Sequence, residues 1–441
     1  MMSDEQKQNE KTFGSGGRNG RVILIVCALL YMVNYMDRQV LSVVLEPMKA
    51  DLGLTDAQAG LIQTVFFLSM AILAFPISFV IDRWSRRKTV ALMAVIWSVA
   101  TYVTGLGKSF LGVLLPRIFV GTGEAGFSAG GTAWITAAYP PESRGKALGI
   151  FNVAVPIGGA LGVMLGGYLS VHFGGWRTPF FVFAIPGIVL GIIAFFLPDY
   201  KTIKQPEQGA VNRRSVLTDT ADLWRIPTLV WLFFGYGLRN IMAFSVFVWS
   251  PALFMRTLNI SESKAGFIVG IMGLLGIIGA LLGGWQADVW KKRGASRMLV
   301  PAIGDFVTSL CCVIGFILLP AGQNNPIIMT VSFIFLALYS VFSMVSPPAL
   351  GAVTQDVVHP RLKGISWGMA MFAMFMLGGA WGPALVGALS DGFGGGAAGL
   401  QTALTIAAAT GMLGAILFWI SSRHYPADCA KVAHYKIESE K

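Results

Sequence analysis

Long apolar segments follow one another along almost the whole chain, separated by short stretches that carry glycine, proline and charge. A helix needs about 20 residues to cross the hydrocarbon core of a bilayer. Twelve segments reach that length, so the pattern predicts an all-α membrane protein with twelve transmembrane helices. The predicted spans lie near 22–46, 57–81, 89–106, 111–138, 146–171, 178–198, 228–255, 265–287, 298–320, 326–352, 364–390 and 398–420.

One polar stretch is much longer than the others and divides the spans into six and six. It predicts two six-helix bundles that are joined by a central loop and flanked by polar tails. The predicted boundaries are 1–21 for the N-terminal tail, 22–198 for the first bundle, 199–227 for the loop, 228–420 for the second bundle and 421–441 for the C-terminal tail.

The two groups of six spans repeat one another. Residues 158–174 share their spacing of Gly, Leu, Ser and Phe with residues 378–394, at a constant offset of 220. Duplicated bundles are typical of transporters that alternate access around a site near the bilayer midplane. The repeat therefore favours a pseudo-symmetric secondary transporter.

The composition agrees with a membrane protein, because 55% of the residues are hydrophobic and only 12% are charged, whereas soluble domains are about 25% charged. Of the 33 Lys and Arg residues, 25 fall in the tails and in one alternate set of loops, and 5 fall in the other set. Positive charge concentrates on the cytoplasmic side, so both termini are predicted to be cytoplasmic. This distribution accounts for the net charge of +11 without nucleic acid.

The N-terminal tail is polar and rich in glycine and lacks the apolar core of a signal peptide. The first span is therefore expected to act as its own insertion signal, and the protein is expected as a monomer in a bacterial inner membrane. The four cysteines and four histidines show no metal-ligand spacing, and there is no phosphate-binding loop of the G-x-x-x-x-G-K-[ST] type. We expect neither an enzyme nor an ATP-driven pump, and no cofactor besides the proton as coupling ion.

The first span carries polar residues in its middle, namely Asn34, Asp37, Arg38 and Gln39. A charge at the centre of a spanning helix costs about 2.5–3.5 kcal/mol on insertion scales, and such residues are usually functional. Neighbouring helix positions point about 100° apart, so Asp37 and Arg38 do not face one partner together. The pattern favours a functional role over mutual neutralisation that only holds the helix in place.

The fourth span contains Arg117, Gly121 and Glu124 at i, i+4 and i+7, on one helix face. Two helical turns, about 10 Å along the axis, separate Arg117 from Glu124, and the glycine between them lets another helix or a ligand approach. A buried carboxylate beside a movable guanidinium can take up and release a proton. Glu124 is thus a predicted proton site, and the alternative is a static ion pair that braces the first and fourth spans.

The second bundle has one basic residue deep in a span, Arg239, with Tyr236 one turn before it. The pattern Tyr35-x-x-Arg38 of the first span recurs here as Tyr236-x-x-Arg239. Arg239 and Tyr236 are therefore candidate contacts for an anionic substrate. Asp305, near the start of the ninth span, is expected at the membrane interface.

Residues 78–88, SFVIDRWSRRK, resemble the loop motif G-x-x-x-D-[RK]-x-G-R-x-[RK] of the major facilitator superfamily, with serine at both glycine positions. The resemblance implies that Asp82, Arg83 and Arg86 form a cytoplasmic gate. Asp288 occupies the matching place after the eighth span and is assigned to the same gate. The alternative is that the basic residues of the loop only set the orientation in the membrane.

Residues 34–39 (NYMDRQ) and 117–125 (RIFVGTGEA) together are similar to the Spinster branch of that superfamily. Spinster proteins of animals move lysophospholipids and sphingoid lipid phosphates, and bacterial members are thought to be coupled to protons. The resemblance implies that Asp37 and Glu124 carry protons. It implies that Arg38 and Arg117 are their switchable partners or bind an anionic head group, with Asn34 and Tyr35 as further contacts.

Taken together, these patterns predict a proton-coupled secondary transporter that moves an anionic amphiphile, such as a lysophospholipid or sphingoid lipid, by alternating access. The arginines inside the spans equally suit a small organic anion–proton symporter of the same superfamily, which stays open as an alternative. A drug–proton antiporter ranks third, because Val155 precedes Pro156 where the fifth-helix motif of such antiporters has glycine.

Overall fold

The protein is helical along most of the chain that its computed structural model describes, residues 17–199 and 216–439. Within those residues, twelve helices or helix pairs are long and apolar enough to cross a membrane. The predicted all-α architecture with twelve spans is confirmed. Most of the helices extend beyond the predicted apolar segments; the first, for example, runs over Arg18–Leu52 instead of 22–46.

Seven helices, α1 to α7, form the first six spans, and the fourth span is divided between α4 and α5. Their bounds are α1 Arg18–Leu52, α2 Asp56–Arg83, α3 Arg86–Gly105, α4 Phe110–Glu124, α5 Phe127–Ala138, α6 Pro141–His172 and α7 Thr178–Phe196.

A short helix, α8 (Val216–Leu223), precedes the second six spans, which are formed by α9 to α16. The tenth span is divided between α12 and α13, and a π-helical turn separates α14 from α15 in the eleventh. The bounds are α9 Pro227–Leu258, α10 Glu262–Lys292, α11 Leu299–Ala321, α12 Pro326–Ser343, α13 Ser346–Asp356, α14 Lys363–Met374, the π-turn Phe375–Gly379, α15 Gly382–Gly392 and α16 Gly396–Ser439.

The fourth and tenth spans are interrupted, although the apolar pattern predicts both as continuous, at 111–138 and 326–352. α4 ends at Glu124 and α12 ends at Ser343, and each span resumes as a new helix within three residues. In the tenth span the cause is Pro347, which has no N–H to donate to the carbonyl of Ser343 four residues earlier. Proline is tolerated in the first turn of a helix, so α13 begins just before it.

The described residues divide into two compact units. Unit 1 comprises the described residues of 1–54, 65–207 and 261–270, and unit 2 those of 55–64, 208–260 and 271–441. The units follow the two groups of six spans, except that the first turns of α2 belong to unit 2 and those of α10 belong to unit 1.

Within unit 1, close packing of α6 on α1 fixes the polar middle of the first span. A Cβ atom on Gly158 would lie 2.3 Å from the carbonyl oxygen of Met32, and one on Gly162 would lie 2.8 Å from that of Met36. Small residues let membrane helices approach this closely, and dispersion contacts along the seam then stabilise the pair. Met32 and Met36, one turn apart in α1, thereby lie directly against α6.

Unit 2 holds the first turn of α2 through a buried ion pair and an exposed helix cap. The carboxylate of Asp56 accepts hydrogen bonds from both terminal nitrogens of Arg256, at 2.6 and 2.7 Å, and from the Ser390 hydroxyl at 2.6 Å. The Asp391 carboxylate accepts from the backbone N–H groups of Asp56 and Ala57, at 3.1 and 2.8 Å. Asp391 thus caps α2, whose first N–H groups have no partners within the helix.

Replacing Arg256 with glutamine is expected to destabilise unit 2. The Asp56 carboxylate, 1% exposed, would lose its counter-charge, and breaking one side of a buried ion pair costs roughly 3–5 kcal/mol. The midpoint of thermal unfolding in detergent measures the effect. As a control, Arg225→Gln removes an exposed partner of Asp222 and should change stability by less than about 1 kcal/mol. Equal midpoints for both variants would contradict the assignment.

Candidate functional site

Unit 1 buries a cluster of charged side chains from α1 and α4. Asp37 and Arg117 are 0% exposed and Glu124 is 2% exposed. Asp37 interacts electrostatically with both Glu124 and Arg117. The structure therefore brings together the predicted residues of the first and fourth spans, in the interior of a single unit.

The Glu124 carboxylate is paired with Arg38. The Nε–H of Arg38 donates to Glu124 Oε2, and the guanidinium also lies 4.6 Å from the centre of the Tyr35 ring. The sequence pattern suggests Arg117 as the movable partner of Glu124 within the fourth span, whereas the hydrogen-bonded guanidinium comes from α1. The Arg117 guanidinium lies over the Phe66 ring, 4.8 Å from its centre.

Asp37 differs from Glu124 in its surroundings. Neither carboxylate oxygen of Asp37 is bonded to a guanidinium among the residues that the structure describes; the Thr101 side chain is its neighbouring donor, and Asn34 lies beside Glu124. An ionised carboxylate in such a place costs several kcal/mol unless it is paired. Asp37 is thus a buried acid that no guanidinium binds, whereas the neighbouring Glu124 is hydrogen-bonded to that of Arg38.

Glycines in α4 allow the cluster to be this compact. A Cβ on Gly121 would lie 2.5 Å from the Phe66 carbonyl oxygen of α2, and one on Gly123 would lie 2.7 Å from the backbone nitrogen of Trp97 in α3. Both helices therefore approach the backbone of α4 directly. Glu124, the last residue of α4, is held where the fourth span is interrupted.

Aromatic rings adjoin the Arg38–Glu124 pair in unit 1. Tyr31 stacks on Phe151 with ring centres 4.5 Å apart, meets Tyr35 edge-on at 5.3 Å, and donates a hydrogen bond to the Ser128 hydroxyl at 3.2 Å. The cation of Arg38 is consequently bordered by an apolar aromatic surface.

Unit 2 buries a second ion pair, formed by Arg239 of α9 and Asp305 of α11. The Arg239 side chain is 4% exposed and Asp305 is 0% exposed, and Tyr236 is buried on the same helix. Asp305, which the sequence pattern places at the membrane interface, is fully buried against the guanidinium of Arg239, a partner that the sequence pattern does not predict. A polar position near the start of a span does not reveal a partner on another helix.

The predicted gate residues can be placed only in part. Asp82 and Arg83 belong to the end of α2, where the side chains of 78–83 lie outside the described residues. Arg86 donates a hydrogen bond to the Ala133 carbonyl oxygen at 3.1 Å within unit 1. Asp288 accepts one from Arg297 at 2.6 Å within unit 2.

Arg297 links Asp288 to a further carboxylate that sequence reasoning did not single out. Its other terminal nitrogen donates to Asp356 at 2.7 Å, and Asp356 also accepts from Lys291 at 2.8 Å and from the Tyr425 hydroxyl at 2.6 Å. Burial alone would lower the pKa of Arg297, but the facing carboxylates of Asp356 and Asp288 outweigh it and raise that pKa. The second copy of the loop motif is therefore part of a charge network inside unit 2.

Twelve spanning helices in two repeated groups, each with buried charge in its interior, define a membrane transporter. The family model of the Major Facilitator Superfamily matches residues 27–383. The chain belongs to that superfamily. It is a multi-pass secondary transporter of a small-molecule substrate and not an enzyme.

Two relatives show which members of the superfamily the chain is similar to. An MFS-type efflux pump of Mycolicibacterium smegmatis is 28% identical over 430 residues, covering 95% of this chain and 96% of the relative. Human protein spinster homolog 1 is 27% identical over 413 residues, covering 88% and 76%. The similarity to Spinster proteins that residues 34–39 and 117–125 indicate is thus confirmed along most of the chain.

A solved structure has the same fold. The crystal structure of a bacterial homologue of the human lysosomal transporter Spinster, in an inward-facing and unoccupied conformation, superposes with a TM-score of 0.83 at 22% sequence identity. The match covers 93% of this chain and 98% of that one. It supports the twelve-span fold.

Proposed function

We propose that this transporter couples the movement of an anionic amphiphile, such as a lysophospholipid or a sphingoid lipid phosphate, to the movement of protons. The observation that carries the proposal is the buried Arg38–Glu124 pair beside Asp37, whose carboxylate is hydrogen-bonded to no guanidinium among the described residues. Ionisable groups inside membrane spans mark proton and substrate pathways. Asp37 and Glu124 are the proposed proton carriers.

The charge balance of the unit 1 cluster predicts whether the proton and the substrate move in the same or in opposite directions. The unit 1 cluster contains two guanidinium groups, Arg38 and Arg117, and two carboxylates, so it is neutral when all four are ionised. Protonation of Glu124 releases Arg38 and leaves a net positive charge, which an anionic group can neutralise. A proton and an anion therefore bind together more favourably than either alone, and the expected mode is symport.

The amphiphilic part of the proposal rests on the surroundings of Arg38. The Tyr35 ring lies against the guanidinium, and Tyr31 and Phe151 extend the aromatic surface away from it. A cation bordered by aromatic surface suits a ligand with an anionic head and an apolar chain, because the chain gains from burial while the head is paired. Asn34 is a further proposed contact for the polar head.

A small organic anion–proton symporter is the second candidate, since the same guanidinium groups would bind a carboxylate without an acyl chain. A drug–proton antiporter is a third candidate, which the likeness to a mycobacterial efflux pump favours. Antiport of a cationic drug would require the opposite coupling, in which substrate and proton compete for Asp37 and Glu124.

The remaining sequence predictions complete the proposal. Asp82, Arg83 and Arg86, with Asp288 in the second copy, form the cytoplasmic gate. Both termini are cytoplasmic, the protein resides in a bacterial inner membrane, and it works as a monomer.

Asp37→Asn tests the proton assignment. The amide cannot take up a proton, so uptake driven by a pH gradient should fall to the level of empty liposomes, while exchange of substrate across the membrane without a gradient should persist. Asp51→Asn is the matched control, because Asp51 lies on the same helix with a side chain that is 47% exposed. Gradient-driven uptake by Asp37→Asn at the level of the Asp51→Asn control would remove Asp37 from the mechanism.

A further inference from the structure

Arg239 is bound to the backbone at the interruption of the tenth span. Its Nη2 donates a hydrogen bond to the carbonyl oxygen of Ser343, the last residue of α12. That carbonyl has no helical donor, because the residue four positions later is Pro347, which lacks an N–H. The guanidinium replaces the missing helical hydrogen bond.

The charge of Arg239 is balanced from a third helix. Its Nε lies 3.2 Å from Oδ2 of Asp305, and the Ser346 hydroxyl donates to Oδ1 of the same carboxylate at 2.6 Å. Ser346 is the first residue of α13, a helix of 11 residues. The Asp305 carboxylate thus lies between a guanidinium, a hydroxyl and the positive end of a helix dipole.

Unit 1 has a related arrangement at the matching place of the repeat. There Arg38, the counterpart of Arg239, reaches the interruption of the fourth span, but the acceptor is the carboxylate of Glu124 itself. In unit 2 the interruption offers only a carbonyl and hydroxyl groups, from Ser343 and Ser346. The negative charge comes instead from Asp305 on α11, a helix outside the tenth span.

A guanidinium, a hydroxyl and a helix N-terminus are the groups with which proteins bind free carboxylates and phosphates. We propose that Arg239 and Ser346 form a second anion-binding site, in which Asp305 acts as an internal counter-anion that the carboxylate or phosphate of the substrate replaces. The inference rests on the proposed function in that the substrate is anionic. Beyond that function, it specifies where in unit 2 the anion binds, which residue it displaces and which helix terminus faces it.

A static brace is the competing explanation, since buried ion pairs often serve only to satisfy one another. The two explanations predict different results when the negative charge is removed. If the ion pair is only a brace, removing the charge of Asp305 destabilises the protein and does not change anion binding. If it is an anion site, removing that charge makes external anions bind more tightly.

The first test uses purified Asp305→Asn. Asparagine keeps an acceptor for Ser346 but removes the charge that competes with ligand. Lysophosphatidate is expected to bind about tenfold tighter than to the natural protein, the effect of one charge-assisted hydrogen bond. Monoacylglycerol of the same chain length should bind unchanged. The same comparison is made for a small anion: D-glucuronate should bind more tightly to the variant, and D-glucose should bind unchanged. Unchanged affinity for both anions would overturn the proposal.

The second test removes both charges. Arg239→Gln with Asp305→Asn leaves a neutral pair of similar size, so folding does not depend on an uncompensated charge. The proposal expects KM for the anionic substrate to rise about tenfold, while the proton dependence set by Glu124 is retained. A lowered melting midpoint with an unchanged KM would establish the brace. If the natural protein transported neither anion, the proposed function would fail, while the affinities of Asp305→Asn would still decide this site.

Discussion

Glu124→Gln is expected to abolish proton-driven uptake while leaving the protein folded. Glutamine has nearly the volume of glutamate and still accepts a hydrogen bond from Arg38, but it neither carries charge nor takes up a proton. Arg38 and Arg117 would then share only the charge of Asp37, so the cluster would stay positive throughout the cycle. An anionic substrate should still bind, and tightly, but it should no longer move with a proton.

The measurement for Glu124→Gln is uptake into proteoliposomes with and without an acidic exterior, beside binding of the same substrate in detergent. Glu142→Gln is the control, because it makes the same chemical change at an exposed position in the first turn of α6. Uptake by Glu124→Gln with the pH dependence of the control would exclude Glu124 as a proton carrier and leave Asp37 as the sole candidate.

Gly158→Ala is expected to prevent correct packing of unit 1. The added Cβ would lie 2.3 Å from the Met32 carbonyl oxygen and 2.9 Å from its Cα, both backbone atoms of α1. Neither atom can move without displacing the helix that carries Asp37 and Arg38. Overpacking of a tight core costs typically about 1–3 kcal/mol, and contact with backbone places this substitution at the upper end.

The neighbouring glycine provides the control. A Cβ on Gly159 would find its nearest atoms in the side chain of Gln39, at 3.8 Å, which is ordinary van der Waals contact. Gly159→Ala should therefore be tolerated, and it also removes a helix-interior glycine, which favours the helix. The yield of monodisperse protein and its thermal midpoint compare the two. Equal behaviour would mean that α1 and α6 are less closely packed than the structure has them.

The sequence predicts the spans and the buried charges because each can be recognised from neighbouring residues alone. Twenty apolar residues in a row can be counted, and a charge inside such a run, as at Asp37 or Arg239, stands out against it. The spacing of Arg117 and Glu124 likewise places them on one helix face without any knowledge of the fold.

Which residues pair between helices cannot be recognised from neighbouring residues. Arg239 and Asp305 are 66 positions apart, Arg38 and Glu124 are 86 positions apart, and nothing in either segment states which helix will be its neighbour. For this reason the sequence pattern does not predict that Asp305 pairs with Arg239. The interruption of the tenth span has a local signal in Pro347, but the apolar run continues through it and outweighs the proline in a count of hydrophobic residues.

Proton movement on addition of substrate is the decisive measurement of proton coupling. Proteoliposomes that contain the transporter and a pH-sensitive dye are given lysophosphatidate or D-glucuronate outside, with no gradient imposed at the start. The account predicts that lysophosphatidate acidifies the lumen and that Glu124→Gln eliminates the response. A response to D-glucuronate alone would keep the proton site and exclude the amphiphile. Uptake of lysophosphatidate without any change in lumenal pH would contradict proton coupling.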